Sequence, residues 1–308
     1  MSTLAKKWGR GWLLGFLLGV GLLLGCGKPT TGDAKKLVAT TGMVADLVQR
    51  VAGDHFQVEA LMGPGVDPHL YKPTEGDLNR LRSARAVFYS GLHLEGKMVE
   101  VFKRLQEAKP SVPLGESVPV SELIDRGNGV HDPHIWFDPV IWKLSLPIIA
   151  GTLTKLDSAN KTEYETNAKL AAAEIDSLHQ WIVARIAELP PERRILVTSH
   201  DAFSYFGKRY GVKVIGLQGI STVSEYGLQD VTRMVDQVVA EKIPALFVES
   251  SVPRKSMEAV QRGAQEKGHP VKIGGELFSD AMGAQNTPEG NYLGMVRHNV
   301  NTIVDALK

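Results

Sequence analysis

Residues 160–189 read NKTEYETNAKLAAAEIDSLHQWIVARIAEL and are followed by Pro190-Pro191. The stretch is rich in Ala, Glu, Lys and Leu, all good helix formers, and a Pro pair stops a helix. This pattern predicts one long helix over 160–189, longer than the helices that ordinarily cover a sheet. The sequence on either side alternates between short apolar runs and helical spacing. Before the helix, strands are expected over 36–41, 56–62 and 86–90, and helices over 43–51, 75–84 and 97–108. After it, strands are expected over 195–199, 213–217, 245–249 and 271–273. The helices there fall over 202–210, 224–242, 254–267 and 292–307. Residues 140–189 are helical in pattern almost throughout, with Pro147 the main interruption. Such βα alternation argues for parallel sheets covered by helices. The expected fold class is therefore α/β. An N-terminal lobe over 36–159 and a C-terminal lobe over 190–308 are joined by the bridging helix 160–189.

The first residues have a different character. Lys6, Lys7 and Arg10 form a basic start, and an apolar, glycine-rich run follows over 11–25. It is too short for a comfortable membrane span and fits the core of a signal peptide, so residues 1–25 are read as one. The run ends in Leu23-Leu24-Gly25-Cys26, which resembles a bacterial lipobox, in which the Cys is lipidated and becomes the new N-terminus. Residues 26–35, rich in Gly, Pro and Thr, read as a flexible lipid tether. The mature protein would then work outside the cytoplasmic membrane, held to a bacterial membrane through Cys26. Cys26 is the only cysteine, so neither a disulfide nor a Cys metal ligand is available. Losing the three cations before Cys26 turns the formal net charge of +1 into −2. No basic stripe of the kind that marks a nucleic-acid binder is present.

The tripeptide Asp-Pro-His occurs twice, at Asp67-Pro68-His69 and Asp132-Pro133-His134. Together with His200 and Asp280 these histidines are candidates for one metal site, because imidazole and carboxylate are the usual ligands of first-row divalent ions. His69, His200 and Asp280 each follow an expected strand, and ligands in open α/β sheets collect at the carboxyl ends of strands. His69 and His134 fall in the first lobe and His200 and Asp280 in the second, so the metal would sit in the interlobe cleft. Glu249 and Asp201 are candidates to orient ligand imidazoles. Asp138, before Pro139, is read as a helix start. Trp136, Phe137, Trp142, Tyr205 and Phe206 are read as packing. His131 is expected in a solvated loop, His93 in a structural or supporting role, and His55, His179, His269 and His298 at the surface or in packing. Ser199-His200-Asp201 is no catalytic triad, since adjacent residues cannot adopt that geometry.

With these residues in place, the chain resembles the TroA family of metal-ion receptors for bacterial ABC transporters. The likeness runs over GPGVDPHLYKPT around His69, HDPHIWFDP around His134 and VTSHDAFSYFGKRYG around His200. It continues through LQGIST at 217–222, FVESSVP at 247–253 and GGELFSDAMG around Asp280. The resemblance implies two Rossmann-like lobes bridged by one rigid helix, with His69, His134, His200 and Asp280 as the ligands. It implies a monomeric binding protein, not an enzyme, that captures a divalent metal and delivers it to a membrane permease. Three imidazoles and one carboxylate favour zinc first, manganese close behind and ferrous iron third. Many manganese members of the family carry Glu where this chain has His200. The short, His-free stretch 121–130 speaks against a purely zinc-dedicated member. A metal-dependent hydrolase is the alternative of a different class. It would need an open coordination position, and no H-E-x-x-H helix is present. A surface adhesin is a third reading, for which the sequence has no wall anchor or repeat stalk.

Overall fold

The computed structural model describes residues 35–308. The expected signal segment 1–25, Cys26 and the tether up to Ala34 lie outside the described residues. In the first half, β1 (Lys36–Ala39), β2 (Gln57–Ala60), β3 (Val87–Tyr89) and β4 (Ser111–Pro113) form one parallel sheet in the order β2-β1-β3-β4. It is covered by α1 (Gly42–Ala52), α2 (Glu75–Ser83) and α3 (Val99–Gln106). Local capping sets where these helices begin. The Thr41 hydroxyl accepts the Val44 N–H at the start of α1, and Thr74 and Asp77 form a reciprocal capping box on α2. After β4 the chain runs through short turns to α4 (Pro139–Trp142) and α5 (Leu146–Leu156).

The long helix is α6, Lys161–Ile186. It ends three residues short of the expected limit, which fits the bias against helix geometry ahead of Pro190. Its buried stripe is Tyr164, Ala171, Ile175, Leu178, Ile182 and Ile186, spaced to lie on one face. That face rests on α1, α4 and α5. It also rests on α7 (Ser204–Tyr210) and α10 (Tyr292–Leu307). Polar contacts reach the same way. Arg50 pairs with Glu174 at 2.6 Å and His55 with Glu163 at 2.9 Å. At the other end Arg185 pairs with Asp305. The helix therefore packs on elements of both halves.

The second half carries β5 (Ile195–His200), β6 (Lys213–Gln218), β7 (Ala245–Glu249) and β8 (Lys272–Leu277), with α8 (Leu228–Ala240) and α9 (Lys255–Glu266). Its strands pair as two parallel ladders, β5–β6 and β7–β8, with β5 lying against β7. Where these ladders meet, the backbone N–H of His200 goes to the Glu249 side chain, not to a β7 carbonyl.

Three elements depart from expectation. β4 is too short to be read from sequence. α8 begins at Leu228 and not at 224, because the Gly227 N–H turns into the Asp230 carboxylate and starts the helix there. β8 continues past Ile273 to Leu277 through a bulge at Gly274-Gly275. Gly275 adopts φ +153° and has no room for a side chain against Thr302, so only glycine fits. One large core runs from Leu37 to Leu307 and includes α6 with residues of both halves. Smaller clusters centred on Val87 and Leu246 lie apart from it.

Candidate metal centre

The two Asp-Pro-His copies use the same local device. The Asp carboxylate accepts the backbone N–H of the His two residues on, at 2.8 Å for Asp67–His69 and 3.0 Å for Asp132–His134. This is an Asx-type turn, and the fixed φ of the intervening Pro favours it. In the second copy the carboxylate does more, because Asp132 Oδ1 also faces His134 Nδ1 at 2.8 Å. Asp132 Oδ2 accepts from Arg126 at 2.7 Å, and Arg126 donates onward to Asp201 and Ser204 of the second half. The Tyr205 hydroxyl donates to the Asp132 carbonyl at 2.9 Å.

His200 is the last residue of β5, and Glu249 is the last of β7. Glu249 accepts the His200 backbone N–H at 2.9 Å and its Nδ1–H at 2.5 Å. Asp280 stands three residues beyond β8. The preceding carbonyl, Ser279 O, accepts the Trp136 indole N–H at 3.1 Å, so a first-half side chain fixes the Asp280 turn. Trp136 also packs edge-on against His134, with ring centroids 5.3 Å apart.

These turns bring His69, His134, His200 and Asp280 together, with one ligand atom from each within 4.8 Å of all the others. Asp280 Oδ2 lies 3.2 Å from His200 Nε2 and 3.7 Å from His69 Nε2, and Asp280 Oδ1 lies 3.4 Å from His134 Nε2. All four side chains are buried. His200 Nε2 and both Asp280 oxygens have no hydrogen-bond partner. Buried polar atoms without partners are costly, and here they converge on one point. With Nδ1 of His134 and His200 donating to carboxylates, each Nε2 is left to offer a lone pair inward. A divalent cation at the centre would satisfy every one of these atoms.

The charge state without metal follows from the surroundings. Burial lowers His69 to about 4, so its imidazole is neutral. Burial also works against the His134 cation, but Asp132 and Asp280 outweigh it and raise the group to about 9. Burial opposes the His200 cation as well, and Glu249 and Asp280 raise it well above its ordinary value. Asp280 stays ionised: burial is overcome by His200 and His134, which hold it well below the usual carboxylate range.

All four residues singled out in the sequence thus meet in one cluster. Glu249 accepts from the His200 ring, the contact a group that orients this imidazole would make. Asp201 contacts none of the clustered imidazoles with its carboxylate, which accepts from Arg126 at 2.9 Å and Ser204 at 2.6 Å; Arg126 and Asp132 stand between it and His134. The first residue of each tripeptide had no role read from sequence, although Asp two residues before a fixed His is itself a turn signal. Asp138 caps α4, accepting from Val140 at 3.0 Å, and takes no part in the cluster. His131 and His93 lie outside it.

A family model described as zinc-uptake complex component A, periplasmic (ZnuA), matches residues 37–306. Over 304 residues the chain is 46% identical to the manganese-binding lipoprotein MntA of Bacillus subtilis (strain 168), an alignment covering 97% of this chain and 99% of that protein. It is 44% identical over 295 residues to the zinc-binding protein TroA of Treponema pallidum (strain Nichols), covering 96% of each. The solved structure of the periplasmic zinc-binding protein TroA from Treponema pallidum superposes with a TM-score of 0.87, over 89% of this chain and 99% of that one.

Proposed function

The chain belongs to the ZnuA family, and from that premise we propose that it captures one divalent transition-metal ion outside the cytoplasmic membrane and delivers it to the permease of an ABC transporter. The observation that carries this reading is the convergence of four buried groups, two from each half, with His200 Nε2 and both Asp280 oxygens lacking a hydrogen-bond partner. Imidazole nitrogens outnumber oxygens in the set, which favours zinc, with manganese close behind and ferrous iron third. Relatives named for zinc and for manganese stand at nearly equal identity, in keeping with a site that suits both.

The metal is cargo and not a catalyst. Four side chains would supply four or five ligand atoms, depending on whether Asp280 binds through one or both oxygens, which argues against the open position that a zinc hydrolase requires. The protein acts as a monomer, tied to the membrane by lipid on Cys26 after removal of residues 1–25. Elemental analysis of protein produced in medium balanced in zinc, manganese and iron tests the proposal. One ion per chain is expected, and His69→Ala or Asp280→Ala should lower the content well below that while the circular dichroism stays unchanged. Protein that purifies without metal and gives no response to titrated zinc or manganese would refute it.

A further inference from the structure

Three of the four ligands are braced through an immediate partner, and one is not. His134 gives both its backbone N–H and its ring N–H to Asp132, and His200 gives both to Glu249. Asp280 follows Ser279, which is held at its carbonyl by Trp136 and at its hydroxyl by Ser251, 3.0 Å away. His69 has no carboxylate on its ring: Asp67 Oδ1 holds its backbone N–H, and its Nε2 faces His134 Nε2 at 3.4 Å inside the cluster. Among the described residues no group is hydrogen-bonded to His69 Nδ1.

The other oxygen of Asp67 accepts from the Thr222 hydroxyl at 2.6 Å. Thr222 lies in the second half, in the loop 219–227 between β6 and α8, and no residue of that loop is buried. Segments with so little buried contact open at the lowest cost. Gly65 (φ +72°), in the turn that carries His69, also faces this half: an added Cβ there would stand 3.4 Å from the Ser250 carbonyl.

We infer that Thr222 is a positioning residue for His69, and that the Thr222–Asp67 bond is the latch whose opening lets His69 leave the metal first. The inference rests on the metal-capture reading above. Its physical basis is the cost of removing each ligand. Swinging out His134 or His200 would strand Asp132 or Glu249 as a buried carboxylate without its imidazole, and breaking a buried pair in this way is strongly unfavourable. Swinging out His69 strands no bracing carboxylate; its ring contact is to His134 Nε2, which would itself face the metal. Asp67 is only partly buried, so once Thr222 lets go its carboxylate is met by water. The metal would then keep three ligands and face an opening at the edge of the cleft, and the exposed loop 219–227 would control the rate.

The test is zinc release from the loaded protein, followed by a chelating dye after rapid mixing, with zinc content measured first on the same samples. Thr222→Val keeps the shape and loses the hydroxyl; it should still load one zinc per chain and release it about tenfold faster. Thr222→Ser restores the donor and should release within about twofold of the parent, as should Val223→Ala, a control in the same loop. Thr222→Val releasing at the parental rate would overturn the latch and leave metal capture intact. Equal acceleration by Val223→Ala would overturn it too, because the loop as a whole and not the hydroxyl would then be responsible. Absence of zinc from the parent protein would bring down the capture reading and the latch with it.

Discussion

On the proposed reading, a metal entering the cluster displaces the protons that neighbouring carboxylates hold on His134 and His200, which makes the site sensitive to pH in a defined direction. Each Nε2 can bind a proton or a metal ion, not both, so loading expels protons. Apparent affinity therefore falls as pH falls, by about tenfold per pH unit for each proton released. Stability of the metal-free protein runs the other way. The folded-state value of His134, about 9, lies above its ordinary value of 6.5, and His200 is raised too. Groups raised on folding stabilise fully below the unfolded value, and that contribution is lost as pH climbs through the folded one. His69 and Asp280 are lowered, so they act at more acidic pH and leave this window to His134 and His200. Between pH 6.5 and 9 the melting temperature of chelator-treated protein should fall, while the extra stabilisation from zinc grows. Calorimetry across that range, with and without zinc, checks both slopes; a metal-free melting temperature that rises throughout would contradict the charge assignment. At this scale the four clustered residues were legible because their residue types and strand-end positions are local facts. The double grip of Asp132 was not, since it depends on how a buried ring turns, and Thr222 was not, since it meets Asp67 across 155 positions of sequence.

Helix α6 was the most legible element, and β8 among the least. A long run of helix formers closed by Pro190-Pro191 needs no tertiary information to be read. The strand β8 looks as if it stops at Ile273, because two glycines normally weaken a strand. It continues because Gly274 and Gly275 allow a bulge against β7 and close approach to α10, where Ala306 and Thr302 leave no space for side chains. The side-by-side placement of β5 and β7 was equally hidden; at that point the His200 N–H goes to the Glu249 carboxylate. The bridging role of α6 predicts an asymmetry between its faces. Leu178 is fully buried against the shared core, whereas Leu170 is 61% exposed. Leu178→Ala should destabilise the metal-free protein by about 2–5 kcal/mol. Leu170→Ser should stay within about 0.5 kcal/mol of the parent. Urea unfolding in the presence of chelator measures both. Equal losses at the two positions would mean that α6 does not pack through the stripe described.

The whole molecule is two α/β halves with a common core, and the ligand set is divided equally between them. A continuous helix and a core that includes residues from Leu37 to Leu307 oppose a wide hinge opening. Trp136, Tyr205 and Arg126 add polar ties across the cleft beside the site. On the proposed reading, release of cargo falls to the loops that rim the cleft, above all those carrying His69 and Thr222, and not to separation of the halves. The repeated Asp-Pro-His supplies only the first half's share of a single site. The measurement that bears most directly on this is X-ray absorption at the zinc edge of the loaded protein. One ion per chain is expected, with about three imidazole nitrogens and carboxylate oxygen at about 2.0–2.1 Å. A first shell of oxygen atoms alone, without imidazole scattering, would contradict it.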